Sequence, residues 1–142
     1  MKISAKTDYA CRALMEMSLH WPSQEPIQLS SISKNQSIPE KFLTQIMLSL
    51  KQLGYVESIR GKSGGYVLAV EPKDISLIDI ISNFDVTGCS IVGQRGSAAK
   101  SQFMNLIWKD VDDVIYKSLQ NITFETIVQK KKNNDQVVMF EI

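Results

Sequence analysis

IPEKFLTQIMLSLKQLGYVESIRGKSGGYVLA, residues 38–69, changes period in its middle, and that change decides the fold. In the first half Leu43, Ile46, Met47, Leu50 and Leu53 recur at helical spacing and form one apolar stripe. Pro39 suits a first helical position, where no N–H is needed, and Gly54 is the expected left-handed stop. A helix over 39–53 follows, with Lys41, Thr44 and Gln45 on its other face. In the second half Tyr55–Arg60 and Tyr66–Ala69 are β-prone runs around Gly61-Lys62-Ser63-Gly64-Gly65, which reads as a hairpin over 56–69 with a flexible tip.

Upstream, Ala10, Ala13, Leu14, Met17 and Trp21 place an amphipathic helix over Lys6–His20, followed by a loop at Pro22–Pro26. Leu29–Lys34 is a short helix with Leu29 and Ile32 inward, and Asn35-Gln36-Ser37 is a polar turn into the long helix. Helix, short helix, turn, long helix, hairpin is the order of a winged helix-turn-helix, a DNA-binding arrangement. Downstream, Ser76 and Asp79 occupy capping-box positions with Ile75 and Ile80 as a staple, giving a helix over Leu77–Phe84. Residues 85–98, with Gly88, Gly93 and Gly96, read as a loop.

From Ala98 to Gln120 there is neither proline nor glycine, and Phe103, Met104, Leu106, Ile107, Trp108, Val111, Val114, Ile115 and Leu119 spread beyond one stripe. A helix so widely apolar needs cover on two sides, its own domain and a second copy of the chain, so 99–120 is the candidate homodimer helix. Ile122-Thr123 with Ile127 predicts a last helix over Phe124–Lys131, and Val137–Ile142 reads as a strand or a dangling tail. The expected architecture is mainly α with a small β wing. It divides into a winged-helix DNA-binding domain over 1–84, a sensor-type loop over 85–98, dimerisation helices over 99–132 and a tail over 133–142.

Composition narrows the function. The chain has 142 residues, 44% of them hydrophobic, and no run approaches the roughly 20 apolar residues of a bilayer span, so a soluble, cytoplasmic protein is expected. Net charge is +1, but Lys34, Lys41, Lys51, Arg60 and Lys62 face only Glu40 and Glu57 within 34–62, whereas 76–142 hold 7 basic and 8 acidic residues. The basic excess is local to the helix and hairpin. Cys11 and Cys89 lie far apart, which fits neither a disulfide framework nor a closed zinc site, so no metal is expected. His20 is the single histidine and no catalytic constellation can be assembled around it, which argues against an enzyme.

The chemistry of the basic segment points to double-stranded DNA. An exposed helix face fits the major groove, where Gln45 can pair with adenine, Thr44 can meet a base edge or a thymine methyl, and Lys41 can reach guanine or phosphate. Glu40 can accept from cytosine or support the helix N-terminus. At the hairpin, Arg60 and Lys62 flank a tip where Ser63 and the Gly64 and Gly65 amides can donate to backbone or minor groove, with Tyr66 closing the site. The same face also reads as an ordinary solvated surface or as a protein-interaction module.

IRGKSGGYVL at 59–68 resembles the wing signature of the Rrf-two family of bacterial winged-helix transcription regulators. The likeness extends to IPEKFLTQI at 38–46, TDYA at 7–10, LIDII at 77–81, Leu106-Ile107-Trp108 and NITF at 121–124, nearly the whole chain to about Lys131. It implies a homodimer crossed through the long helix, a palindromic operator and most often repression. Relatives with an iron-sulfur cluster carry three cysteines in the loop before that helix. Here only Cys89 stands, with Gly96 and Gln102 near the other two places, so no conventional cluster is expected. Asp8, where one branch supplies a carboxylate ligand, then reads as an acid suited to a helix N-terminus. Cys89, with Arg95 and Lys100 near in sequence, is a candidate redox sensor or an inert thiol, and control by a partner protein or metabolite is the alternative. Cys11 reads as a small core residue.

Overall fold

The computed structural model describes residues 2–85, 90 and 102–141. The elements are α1 (Ala5–Leu19), α2 (Leu29–Gln36), α3 (Glu40–Gln52), β1 (Val56–Ile59), β2 (Gly65–Leu68), α4 (Leu77–Phe84), α5 (Gln102–Gln120) and α6 (Phe124–Glu141), with a 3₁₀ turn at Pro72–Asp74. This is the mainly α fold with a two-stranded antiparallel wing that the sequence predicts.

Local chemistry sets the helix ends. The Ser4 hydroxyl accepts from the Thr7 amide at 3.2 Å and opens α1, and Ser76 does the same for Asp79 in α4 at 3.4 Å. The end of α3 is a Schellman motif: Gly54, at φ +85°, donates to Lys51 O and Tyr55 donates to Leu50 O, both at 3.0 Å. Ser37 closes α2 in the left-handed region at φ 53°, and the Ser33 hydroxyl donates to Ile38 O at 2.6 Å across the turn. Pro39 stands one position earlier than expected, as the N-cap of α3, because its extended ψ of 131° carries the chain out of that turn.

Helix α1 is the axis of the core. Its Ala10, Ala13, Leu14 and Met17 pack with Ile32, Leu43, Ile46, Met47, Leu50, Val56, Ile80 and Phe124 in one buried cluster. Burying a side chain such as Leu14 or Leu43 is worth about 1.5–3 kcal/mol, so this cluster outweighs any single polar contact in holding the head together. The wing pairs Val56 with Leu68 and Ile59 with Gly65. It is joined by a third segment, where Ile27 and Tyr66 exchange amide-to-carbonyl bonds of 2.9 and 2.8 Å.

Several expectations change. Helix α2 runs two residues further, to Gln36. Leu53, expected in the buried stripe, is exposed because it caps α3 beyond the last turn that meets α1. The tail from Val137 is neither strand nor loose end: α6 continues through it to Glu141, with no proline or glycine to stop it and i,i+4 pairs Gln129–Asn133 and Lys131–Asp135 along the way. Nor do 124–132 belong only to a dimerisation unit, since Phe124 is fully buried in the head's core and Val128 is buried beside α1. Thr123 and Thr126 cap α6 reciprocally, each hydroxyl oxygen accepting from the other residue's amide, at 3.1 and 3.3 Å. Most of the loop at 85–98, with Cys89 and Arg95, and the start of the long helix before Gln102, with Lys100, lie outside the described residues.

Helix α5 packs on α4 and none of its residues is buried. Phe103 is 70% exposed, Leu106 60% and Val114 65%. So much apolar area on one helix marks an interaction surface.

Candidate nucleic-acid interface

The Leu43–Ile46–Met47–Leu50 stripe presses α3 onto α1 and turns Glu40, Lys41, Thr44 and Gln45 outward, all four exposed. The Thr44 hydroxyl donates to Glu40 O at 2.8 Å, so toward a ligand it retains acceptor capacity and its methyl group rather than its proton. Phe42 and Leu48, half exposed on the same helix, were not singled out from the sequence.

At the wing, Arg60, Lys62 and Ser63 are exposed. The glycines serve the hairpin first. A Cβ on Gly64 would lie 2.3 Å from Ile59 O, and one on Gly65 would lie 2.3 Å from Ile27 O. The Gly64 amide already donates to Gly61 O at 3.0 Å, which takes it out of the set of open donors expected at the tip. Tyr66 is half-buried against the core and held to Ile27 through its backbone, a structural anchor of the wing base. Lys51 Nζ donates to Ser58 Oγ at 2.7 Å and ties the end of α3 to β1, so helix and wing are braced together.

A polar network that sequence reasoning missed sets the helix-turn-helix angle. Glu16, buried in α1, accepts from Asn35 Nδ2 at 2.7 Å and Gln36 Nε2 at 2.8 Å. Arg12 donates to Gln36 O at 2.8 Å and pairs with Asp8 at 2.7 Å, which is the use the structure finds for Asp8. The only advance signal was the i,i+4 spacing of Asp8 and Arg12. At the head of α1, Asp85 Oδ2 accepts from the Thr7 hydroxyl at 2.8 Å. Burial alone would raise the Asp85 pKa, but hydrogen bonds from Ser4 and Thr7 overcome it and hold the carboxyl below its ordinary value.

A family model described as Rrf2, iron-dependent transcriptional regulator, matches residues 3–130. The chain belongs to the Rrf2 family. It is 33% identical over 138 residues to the HTH-type transcriptional regulator IscR of Pectobacterium carotovorum, spanning 93% of this chain and 82% of that protein. The structure of CymR, the global cysteine regulator of B. subtilis, superposes with a TM-score of 0.81 at 29% identity, covering 92% of this chain and 98% of that one. The oxidized form of Staphylococcus aureus CymR gives a TM-score of 0.75 at 26% identity, covering 90% and 96%.

This Rrf2 chain is therefore a DNA-binding transcription regulator of the winged-helix type, from a family of regulators rather than enzymes. Among the described residues no helix is long and apolar enough to cross a membrane. The sequence has two cysteines, and burial, helped by Asp8 and Asp85, pushes the Cys11 thiol up to about 12. Among the described residues no group of three or more His, Cys, Asp or Glu could hold a metal ion.

Proposed function

We propose that this Rrf2 regulator acts as a homodimer that represses transcription from a palindromic operator, with α3 in the major groove and the wing on the adjoining backbone or minor groove. The observation that carries the reading is the exposed Lys41–Thr44–Gln45 face of α3, braced by Lys51 and Ser58 to a wing whose Arg60 and Lys62 are also exposed. Gln45 and Thr44 have the chemistry to read bases, and the three cations have the chemistry to neutralise phosphates. Glu40 sits in the first turn of α3, where its charge suits the helix N-terminus. The apolar, exposed α5 supports the second copy, and a dimer would place two recognition helices on half-sites about one helical turn apart.

The signal, in this reading, does not pass through a conventional iron-sulfur cluster, for want of thiolates. Cys89 is the remaining redox candidate, and the oxidized CymR structure favours testing it. A partner protein or metabolite is the other source of control.

Selection of genomic fragments by the purified protein tests both readings, run once with thiols reduced and once after mild oxidation. Enrichment of a palindrome is expected, and its loss only on oxidation, restored in Cys89→Ser, would assign the switch. Gln45→Ala should cost about 1–3 kcal/mol at its cognate base and relax preference there, whereas Lys62→Ala should weaken all sequences alike and flatten the salt slope. The half-exposed Phe42 and Leu48 favour a second reading, a protein-docking face. That reading takes over if no sequence is enriched and DNA retention shows no dependence on salt.

A further inference from the structure

We propose that the cleft between the end of α1, the 3₁₀ turn and α6 binds a small zwitterion of the amino-acid class. The inference starts from Ser18, one residue from the end of α1. It is 3% exposed, and its hydroxyl has no hydrogen-bond partner among the described residues. An unsatisfied buried hydroxyl is destabilising, so such a group is seldom kept without something to bind. Ser18 lines a cavity of about 200 Å³, together with Trp21 and the buried Val128.

The rim supplies both signs of charge. Glu71 and Lys73 come from the turn, and Glu125 and Lys132 from α6. Glu71 and Lys73 are 3.2 Å apart and exposed, a pair worth little in water and readily exchanged for a ligand's own charges. A simple anion would meet Lys73 and Lys132 but be repelled by Glu71 and Glu125, and a simple cation would meet the reverse. A zwitterion satisfies all four, while Trp21 and Val128 offer an apolar wall to its side chain. The volume is that of about six or seven waters at roughly 30 Å³ each. It falls below the roughly 300 Å³ where pockets for drug-sized ligands begin, so the occupant is small.

The cleft also has a place in the fold. The Pro72 turn follows β2 after Ala69-Val70-Glu71, and α1 packs against α3, so an occupant would join the exit of the wing to the helix behind the recognition helix and to α6. Binding itself stands apart from the DNA reading and is tested on DNA-free protein, so failure of one leaves the other standing.

Trp108→Phe, an apolar exchange, leaves Trp21 as the single tryptophan of the chain, and its fluorescence then reports on the cleft. Each neutral L-amino acid is titrated into this protein at millimolar concentration, with the thermal midpoint as a second readout. We expect at least one to give a saturable change at Trp21 and to raise the midpoint. Ser18→Ala, and separately Lys73→Gln combined with Glu125→Gln, should each weaken that binding about tenfold or more. Ser18→Ala removes an unsatisfied group, so its own stability should not fall. The corresponding carboxylic acid without the amine, and the amine without the carboxylate, should each fail to bind. The proposal is overturned if no amino acid gives a saturable change, if the response survives both sets of variants, or if the acid or the amine alone binds as well as the zwitterion.

Discussion

Removing Glu16 should loosen the whole helix-turn-helix, although Glu16 lies in neither of the helices it orients. Its two oxygens accept from Asn35 and Gln36, the residues at the end of α2, just before the left-handed Ser37 and the start of α3. Hydrogen bonds to a charged group are worth about 1.5–3 kcal/mol each, so Glu16→Ala forfeits at most about 3–6 kcal/mol. Asn35 is exposed and Gln36 half-buried, and both amides recover water once freed, which places the expected loss near the lower end, about 3 kcal/mol. Glu16→Gln keeps the shape but has one oxygen to accept with, and its amino group faces a donor, so roughly half the loss should remain. The assay is urea unfolding of the three proteins at one fixed protein concentration, because the proposed homodimer would couple stability to concentration. Operator affinity of the folded variants should fall in the same order, since α3 loses its brace. A change under about 0.5 kcal/mol for Glu16→Ala, or a Glu16→Gln protein as stable as the parent, would refute the two-acceptor argument.

Gly65→Ala puts a Cβ against Ile27 O, so the Ile27–Tyr66 exchange must open at a cost of about 2 kcal/mol. Hydrogen exchange should show the Ile27 and Tyr66 amides losing protection, while Gly61→Ala, strained by its φ of +121° although its Cβ meets no atom, should cost stability at the tip and leave both of those amides protected. The Asp85 carboxyl is held below 3.8 in the folded chain, so it contributes stability above that pH and loses it as the pH falls through the lowered folded value. Acid titration should therefore show Asp85→Asn less stable than the parent at neutral pH, with the difference closing only below 3.8; a gap independent of pH would remove the carboxylate from that role. Leu106→Lys places a charge in the exposed apolar face of α5 and should raise the monomer fraction in analytical ultracentrifugation, with helicity by circular dichroism unchanged.

What could be read in advance was whatever is encoded within a few residues. The stripe Leu43–Ile46–Met47–Leu50, the Schellman glycine at 54, the Ser76 cap and the hairpin around Gly61–Gly65 each carry their own geometry, and each recurs in the structure. The tail failed for the complementary reason. Val137-Val138-Met139-Phe140 is β-prone taken alone, but it continues a helix already nucleated at Thr123 and Phe124, where each added residue gains a hydrogen bond without paying for a new start. Leu53 failed because a periodic pattern does not say where the partner surface ends.

The candidate site divides along the same line. Lys41, Thr44, Gln45, Arg60 and Lys62 stand on the surface where the pattern put them, since an exposed face is simply what a buried stripe leaves over. Their positions relative to one another depend on Glu16 reaching Asn35 across 19 residues, on Arg12 reaching Gln36 across 24, and on Ile27 bonded to Tyr66. Those partners have no periodic or compositional mark, because any polar residue on a helix surface looks the same until the fold brings its acceptor near. It follows that α1, which carries none of the candidate contact residues, sets how those residues stand relative to one another. It meets α3 through the core, the turn before α3 through Glu16, and the entrance to residues 86–101 through Thr7 and Asp85.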